Sequence, residues 1–211
     1  MKQKSAFMLI LAIMLSGCST AQATNITPTV SDQKNYPQAL VSYDDFKNLV
    51  TEVEQHRSER LVNFDDFLKM SKEKNVVILD TRSDFRYGRK HLRGAIHLSF
   101  TDFTEENLHK LIPDPNTKIL IYCNNNFYGD LIDFASKVGR VITKADNDTT
   151  TTDTITIGEN ELISNRKPIM LALNIPTYIN LYGYGYKNVY ELDELVNIND
   201  ERALFEGTEV K

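Results

Sequence analysis

Cysteine is scarce in this chain, and its scarcity excludes an internal disulfide framework. Only two cysteines, Cys18 and Cys123, occur among 211 residues. Two cysteines can form one disulfide at most, and Cys123 has no possible partner within the chain if Cys18 is otherwise used. A lone thiol in an oxidising compartment is either buried and inert or reactive. Cys123 is therefore the first residue to consider as functional.

The chain also lacks an excess of positive charge and a long apolar run. Lys and Arg number 24 against 29 Asp and Glu, so the formal net charge is −5 and no nucleic-acid partner is expected. The apolar run at residues 6–15 is too short to cross a bilayer of roughly 30 Å. One available cysteine and scattered histidines do not make a zinc ligand set, so neither a metal nor another cofactor is expected.

The N-terminal residues are typical of an exported protein. A short basic head precedes the apolar run, and small residues follow it, as in a secretory signal peptide. The tetrapeptide Leu-Ser-Gly-Cys at 15–18 resembles the lipobox of bacterial lipoproteins; an ordinary signal peptide with a cysteine near its cleavage site is the alternative. The resemblance implies a signal peptide over residues 1–18, acylation of Cys18 and anchoring in a membrane. Ser19 favours a periplasm-facing position in the cell envelope, at the outer membrane.

Composition divides the rest of the chain into three parts. Residues 19–40 are rich in small and polar side chains and predict a flexible tether. Residues 41–200 are predicted to form one domain, interrupted at 139–167 by an insertion rich in Thr, Asp and Asn without apolar periodicity. Residues 201–211 are interpreted as a C-terminal tail.

Hydrophobic periodicity in the domain predicts strands that alternate with helices. The strands are short apolar runs, mostly β-branched, whose continuity is typical of a parallel sheet covered on both faces. The predicted strands are residues 76–79, 95–98, 118–122 and 188–192, and the predicted helices are residues 43–55, 64–70, 105–111, 130–138 and 176–182. This order predicts an α/β fold with three layers.

Reactive groups in a parallel sheet gather where the strands end, and two strands here end in suggestive residues. One runs into Asp80 and Arg82, and another into Cys123 and a polar loop. We expect backbone amides of that loop and the positive end of a following helix to favour a thiolate at Cys123. Asn124, Asn125 and Asn126 suit such a loop because Asn tolerates left-handed backbone conformations. The alternative is that Cys123 is a small apolar side chain ending a buried strand.

These motifs resemble a rhodanese-like domain over about residues 60–195. The resemblance rests on Asp-Thr-Arg at 80–82, His-Leu-Arg-Gly-Ala-Ile at 91–96, the strand that ends at Cys123, and Asn-Val-Tyr-Glu-Leu at 188–192. It implies a rhodanese-like three-layer fold and sulfurtransferase activity. Cys123 would take sulfane sulfur from a small donor, hold it as a persulfide and pass it to a thiol or another thiophilic acceptor.

The resemblance also implies roles for the residues around Cys123. Those expected to bind substrate or form the cradle are Asn124, Asn125, Asn126, Phe127, Tyr128, Gly129, Arg82 and Arg86. Asp80 and His91 are expected to support the site through hydrogen bonds. The loop lacks the Arg or Lys usual in the family, which argues against thiosulfate as the natural donor; the cations that could replace it are Arg82, Arg86, Arg89 and Lys90.

Other functions of a lone cysteine fit less well. A Cys-dependent phosphatase needs an arginine where Tyr128 and Gly129 stand, and a thioredoxin-like enzyme needs a second cysteine where Asn126 stands. A rhodanese-like binding module remains the alternative to an enzyme. Its ligand surface could include the tyrosines at 178, 182, 184 and 186, although these also fit ordinary helix packing.

Overall fold

The computed structural model describes residues 36–136, 138–139, 169–170 and 172–210. The predicted signal peptide with Cys18, most of the tether and residues 140–167 of the insertion lie outside these ranges. The chain divides into two units between Val41 and Ser42, and the helices and strands described here belong to the larger unit, Ser42–Lys211. None of the helices in the described ranges has the length and apolar character needed to span a membrane.

Five α-helices and eleven strands are present in the described residues. The helices are α1 (Tyr43–Ser58), α2 (Phe64–Met70), α3 (Asp84–Arg89), α4 (Glu105–Leu111) and α5 (Asn174–Gly183). The strands are β1 (Leu61–Val62), β2 (Val76–Asp80), β3 (His91–Leu92), β4 (Ala95–His97), β5 (Lys118–Tyr122), β6 (Phe127–Tyr128), β7 (Val138–Gly139), β8 (Ile169–Met170), β9 (Val189–Leu192), β10 (Val196–Asn197) and β11 (Phe205–Glu206).

The central sheet has five strands in the order β1-β9-β5-β2-β4, and every pairing is parallel. Side chains along β5 alternate between two apolar cores, with Ile119 and Ile121 in one and Leu120 and Tyr122 in the other. This alternation follows from the two-residue period of a strand. Side chains of α1, α4 and α5 contribute to the first core and those of α2 to the second. The predicted α/β fold with a covered parallel sheet is therefore confirmed.

Local sequence explains where several helices begin. Ser42 accepts a hydrogen bond from the backbone of Asp45, Asn63 from Asp66 and Thr104 from Asn107. These side chains satisfy backbone N–H groups that have no partner within the helix. The predicted helix at 130–138 is wrong: a turn follows Asp130, whose carboxylate accepts from the backbone of Ile132 and Asp133, and Val138 begins β7. Such Asp-stabilised turns compete with helix formation.

The two ends of the predicted insertion lie side by side. β7 pairs with β8 in antiparallel register, with Val138 opposite Met170 and Gly139 opposite Ile169. The chain therefore leaves the domain and returns to it at one place, which is how an insertion can be accommodated without displacing the sheet.

The predicted C-terminal tail is part of the domain as far as residue 210. β11 pairs with β3 in antiparallel register, and the Phe205 ring packs against Phe127 and Phe134. The backbone N–H groups of Thr208 and Glu209 donate to carbonyls in α3. Sequence periodicity gave no signal here because a two-residue strand is too short to show a period.

Candidate functional site

Cys123 follows β5, the middle strand of the central sheet. Its side chain is only 1% exposed, so the sulfur lies beneath the surface of the domain. The Leu173 backbone N–H donates to Sγ, with the nitrogen 3.4 Å from the sulfur. The sulfur is therefore buried and has a polar contact.

The amide at Leu173 belongs to the start of a helix. Leu173 is the N-cap residue of α5, which is ten residues long. The N-terminus of a helix carries partial positive charge from N–H groups without internal partners. The residues directly after the loop do not form the helix that was expected to face Cys123. The partial positive charge comes instead from the N-terminus of α5, about fifty residues farther along the chain.

The loop after Cys123 is a 3-10 turn, Asn124–Asn126. Asn126 Oδ1 accepts from the Cys123 backbone N–H at 2.8 Å, and Asn126 Nδ2 donates to the Leu192 carbonyl at 2.7 Å. None of these three asparagines adopts positive φ, so the expectation of left-handed backbone in this loop is wrong. Asn126 instead holds the loop through its side chain, which links the start of the turn to the end of β9.

Phe127, Tyr128 and Gly129 connect the loop to the second core. Phe127 is 2% exposed, and β6, which contains Phe127 and Tyr128, pairs in parallel with β10. Gly129 has φ +94°, and a Cβ placed on it would lie 3.1 Å from a methyl group of Ile198. Phe127 therefore supports the loop from the core side and does not line an open cradle, because its ring is packed among other aromatic rings.

Asp80 and Arg82 lie at the end of the neighbouring strand β2, and both are almost fully buried. The guanidinium binds the Asp80 carboxylate through Nε and Nη2 and contacts Asn124 Oδ1 at 3.3 Å. The remaining donors reach the carbonyls of Lys90 and Asp133. All five N–H groups thus have partners within the chain, so Arg82 is placed to hold the loop and has no donor left for an anionic substrate.

The charge on Arg82 is strongly held. Burial acts to lower its pKa, but hydrogen bonds and the charge of Asp80 raise the pKa above its usual value. Tyr122 completes this buried group: its hydroxyl donates to Asp80 Oδ2 at 2.5 Å. Burial and the Asp80 charge raise the pKa of Tyr122 well above its usual range, so Tyr122 stays protonated and acts as a donor.

The other cations expected near the loop are mostly paired. Arg89 Nε lies 2.6 Å from Asp133 Oδ1, and Lys90 Nζ lies 2.7 Å from Asp130 Oδ2. Both pairs attach α3 and its C-terminal end to the turns that follow the loop. Among the described residues Arg86 has no carboxylate partner, and its Nη1 is buried without a hydrogen bond. Of the four cations, Arg86 is the one not committed to an ion pair within the described ranges.

His91 lies at the start of β3, and its contacts are not with Cys123. Its Nδ1 lies 2.7 Å from the Tyr87 carbonyl, and its ring stacks on Tyr87 with centroids 3.9 Å apart. These contacts fix α3 against the next strand. Tyr178 and Tyr186, which were considered for a ligand surface, are buried in the first core and serve helix packing.

Sequence reasoning missed four polar residues close to the site. Thr81 and Thr177 share a buried hydrogen bond, with their hydroxyl oxygens 2.8 Å apart. Asn174, the first residue of α5, donates to Glu191 Oε1 at 2.6 Å. Glu191 could have been singled out from the sequence, because it is a charged residue inside the mostly apolar strand predicted at 188–192. Asn174 was obscured because the helix was expected to begin at Pro176.

The described residues contain no cluster of three or more His, Cys, Asp or Glu side chains that could hold a metal ion. What they do contain is a buried thiol with one backbone donor and a loop fixed by side-chain amides. This arrangement can stabilise negative charge on sulfur through aligned N–H dipoles.

Comparison with known proteins agrees with the fold. Residues 63–139 match the family model of the rhodanese-like domain, and the five-stranded parallel sheet with flanking helices is consistent with that fold. No curated protein matches the chain significantly. The crystal structure of the BH2092 protein from Bacillus halodurans is similar at 17% identity and a TM-score of 0.29, over 38% of this chain and 58% of that one. The alignment thus spans little more than half of that chain, and it carries no argument about activity.

Proposed function

We propose that this chain, whose residues 63–139 match the rhodanese-like domain, is a sulfurtransferase that carries sulfane sulfur as a persulfide on Cys123. The observation that carries the proposal is the contact between Cys123 Sγ and the Leu173 N–H at the start of α5. Donors at a helix N-terminus stabilise a thiolate, and the thiolate is the nucleophile in sulfur transfer. They would also stabilise the negative charge of a persulfide.

The proposed reaction has two displacements at sulfur. The Cys123 thiolate attacks the outer sulfur of a donor persulfide; the new sulfur–sulfur bond forms as the donor's own bond breaks, and the donor leaves as a thiolate. An acceptor thiolate then attacks the outer sulfur of the Cys123 persulfide and restores the Cys123 thiolate. Because Arg82, Arg89 and Lys90 are committed to partners within the chain, we propose a persulfide donor over thiosulfate.

Burial of the sulfur favours a second candidate, a rhodanese-like binding module at the cell envelope. A side chain that is 1% exposed admits a donor only after neighbouring atoms move. A module of this kind would bind a partner through the domain surface and would keep Cys123 for packing alone.

Intact-mass analysis of the full-length protein in detergent distinguishes the two candidates. The protein is incubated separately with glutathione persulfide, thiosulfate and mercaptopyruvate. The enzyme proposal predicts a gain of one sulfur atom that cyanide or excess thiol removes, fastest with glutathione persulfide and absent in Cys123→Ser. If the folded wild type gains no sulfur from any donor, the sulfurtransferase proposal is wrong and the binding module is favoured.

We further propose that the protein is anchored through an acylated Cys18 and faces the periplasm. The supporting observation is the Leu-Ser-Gly-Cys sequence at 15–18, which follows the apolar run. Metabolic labelling with a palmitate analogue should label wild type and not Cys18→Ala. Equal labelling of the two proteins, or equal recovery of both in the membrane fraction, would contradict the proposal.

A further inference from the structure

A buried carboxylate joins three elements beside the reactive sulfur. Glu191 lies in β9 opposite Ile121 of β5, two residues before Cys123, and its side chain is only 1% exposed. Moving a carboxylate into the interior costs several kcal/mol unless charge and hydrogen bonds compensate for the lost water. A carboxylate at this depth therefore has to be held by specific partners.

Two side chains from different helices provide that compensation. Arg57 at the end of α1 binds both carboxylate oxygens, with Nε 2.5 Å from Oε2 and Nη2 2.6 Å from Oε1. Asn174 Nδ2 at the start of α5 lies 2.6 Å from Oε1. The Glu191 carboxylate thus connects α1 and α5 to the strand beside β5.

The connection to α5 is made next to the contact with Cys123. Asn174 binds Glu191, and the residue before it, Leu173, donates its backbone N–H to Sγ. The side chain that anchors the helix and the amide that contacts the sulfur therefore belong to consecutive residues. A shift of α5 along its axis would break both contacts together.

The buried position of Asn174 carries a cost in folding stability. The residue is 7% exposed, and among the described residues its Oδ1 has no hydrogen-bond partner. An unpaired buried acceptor destabilises a fold, and an apolar residue at the same place would avoid that cost. What Asn174 supplies in return is the hydrogen bond from Nδ2 to Glu191, which both compensates the buried carboxylate and fixes the first turn of α5.

We infer that Arg57, Glu191 and Asn174 are positioning residues that hold the first amide of α5 against the Cys123 sulfur. They do not touch the transferred sulfur. They act by keeping a helix N-terminus within hydrogen-bonding distance of the nucleophile. The inference rests on the proposed function for its role in catalysis, but the positioning itself can be measured without sulfur transfer.

The test measures alkylation of Cys123 by iodoacetamide in the full-length protein in detergent. Peptide mass spectrometry assigns the modification to Cys123, and the rate is followed from pH 6 to pH 10. The variants Asn174→Ala and Arg57→Lys do not change the formal charge of the substituted residue. Tyr178→Phe is the matched control, because one turn farther along the same helix it removes the hydrogen bonds of Tyr178 to the Val189 carbonyl of β9 and to His56 of α1.

Asn174→Ala should shift the midpoint of the pH–rate profile upward by about half to one pH unit, which corresponds to roughly three- to tenfold slower alkylation at neutral pH. Arg57→Lys should shift the midpoint in the same direction by a smaller amount, and Tyr178→Phe should leave it unchanged. The midpoint is the readout because easier access alone changes the maximal rate and leaves the midpoint in place.

Unchanged midpoints in both Asn174→Ala and Arg57→Lys, or an equal shift in Tyr178→Phe, would overturn the inference. Sulfur loading of the same proteins separates it from the proposed function. Wild type that loads sulfur while the variants keep a normal midpoint refutes positioning alone. Wild type that never loads sulfur while the variants shift the midpoint refutes the transfer activity and leaves positioning intact.

Discussion

Arg82 and Asp80 form a bidentate ion pair in the interior of the domain, although only one residue separates them in the chain. Arg82 Nη2 lies 2.7 Å from Asp80 Oδ2, and the side chains are 1% and 0% exposed. The same guanidinium contacts Asn124 in the loop after Cys123. The end of β2 and the loop after β5 are therefore fixed by one charged group.

Replacing Arg82 should destabilise the whole domain. Arg82→Met leaves the Asp80 carboxylate buried without its counter-charge, and breaking a buried pair on one side costs about 3–5 kcal/mol. Urea unfolding followed by circular dichroism measures this cost. Arg93→Met is the control: Arg93 is 59% exposed and pairs weakly with Glu206, so its loss should change stability by less than about 1 kcal/mol. Equal losses of stability in the two variants would show that Arg82 contributes no more to folding than an exposed arginine does.

Asn126 should matter more than its neighbour Asn125. Asn126→Ala removes the acceptor for the Cys123 N–H and the donor to the Leu192 carbonyl, leaving buried backbone groups unpaired at a cost of about 1–3 kcal/mol. Asn125→Ala in the same turn changes a half-buried side chain that contacts Ser136, and we expect a smaller loss. Thermal unfolding of both variants checks the order, and a larger loss from Asn125→Ala would contradict it.

Two glycines near α3 should respond oppositely to alanine. Gly207 has φ +130°, and an added Cβ would lie 2.3 Å from the Arg89 carbonyl oxygen, so Gly207→Ala should cost on the order of 1–3 kcal/mol. Gly88 lies within α3, and no atom is within 4 Å of an added Cβ. Gly88→Ala should therefore stabilise the helix by about 0.5–1 kcal/mol. Denaturant midpoints measure both changes, and a neutral Gly207→Ala would contradict docking of the C-terminal residues on α3.

Asp130 should make stability depend on acid pH. Burial opposes the effect, but hydrogen bonds from the Asp133 backbone and from Lys90 lower the pKa of Asp130. A carboxyl group with a lowered folded-state pKa stabilises above its unfolded pKa, near 3.9, and loses that contribution as pH falls through the folded value. Asp130→Asn should therefore be less stable than wild type at pH 7, by less than about 1 kcal/mol because the pair is partly exposed.

The difference between Asp130→Asn and wild type should shrink as the pH falls through the lowered folded-state pKa of Asp130, below which the wild-type carboxyl is also neutral. Thermal unfolding without denaturant, at several pH values, measures this difference in stability. Asp102→Asn, at an exposed position, is the control for a general loss of negative charge. A constant difference between Asp130→Asn and wild type at all pH values would refute the linkage.

The sheet was predictable from sequence because its strands are continuous apolar runs. The predicted segment 118–122 coincides with β5, and 76–79 misses one residue of β2. The segment at 130–138 was wrong because its apolar spacing resembles a helix, whereas the Asp130 side chain stabilises a turn. Local hydrogen bonding of this kind is not visible in hydrophobic periodicity.

The candidate site was only partly predictable. Cys123, Asp80 and Arg82 follow from their place at strand ends, which sequence order reveals. The contact between Leu173 and Cys123 joins residues fifty positions apart, and the link from Arg57 to Glu191 joins residues 134 positions apart. Such pairs depend on how the helices pack across the sheet, and no local pattern specifies that.

The docking of β11 has a consequence for synthesis of the protein. Phe205 packs against Phe127 and Phe134 behind the loop that follows Cys123, and β11 pairs with a strand more than one hundred residues earlier. A chain still emerging from the ribosome contains Cys123 long before it contains Phe205 and β11. Contacts so distant in sequence form late in folding. The loop after Cys123 therefore reaches its final surroundings only when residues 203–206 have been synthesised, and until then the second core behind that loop is incomplete.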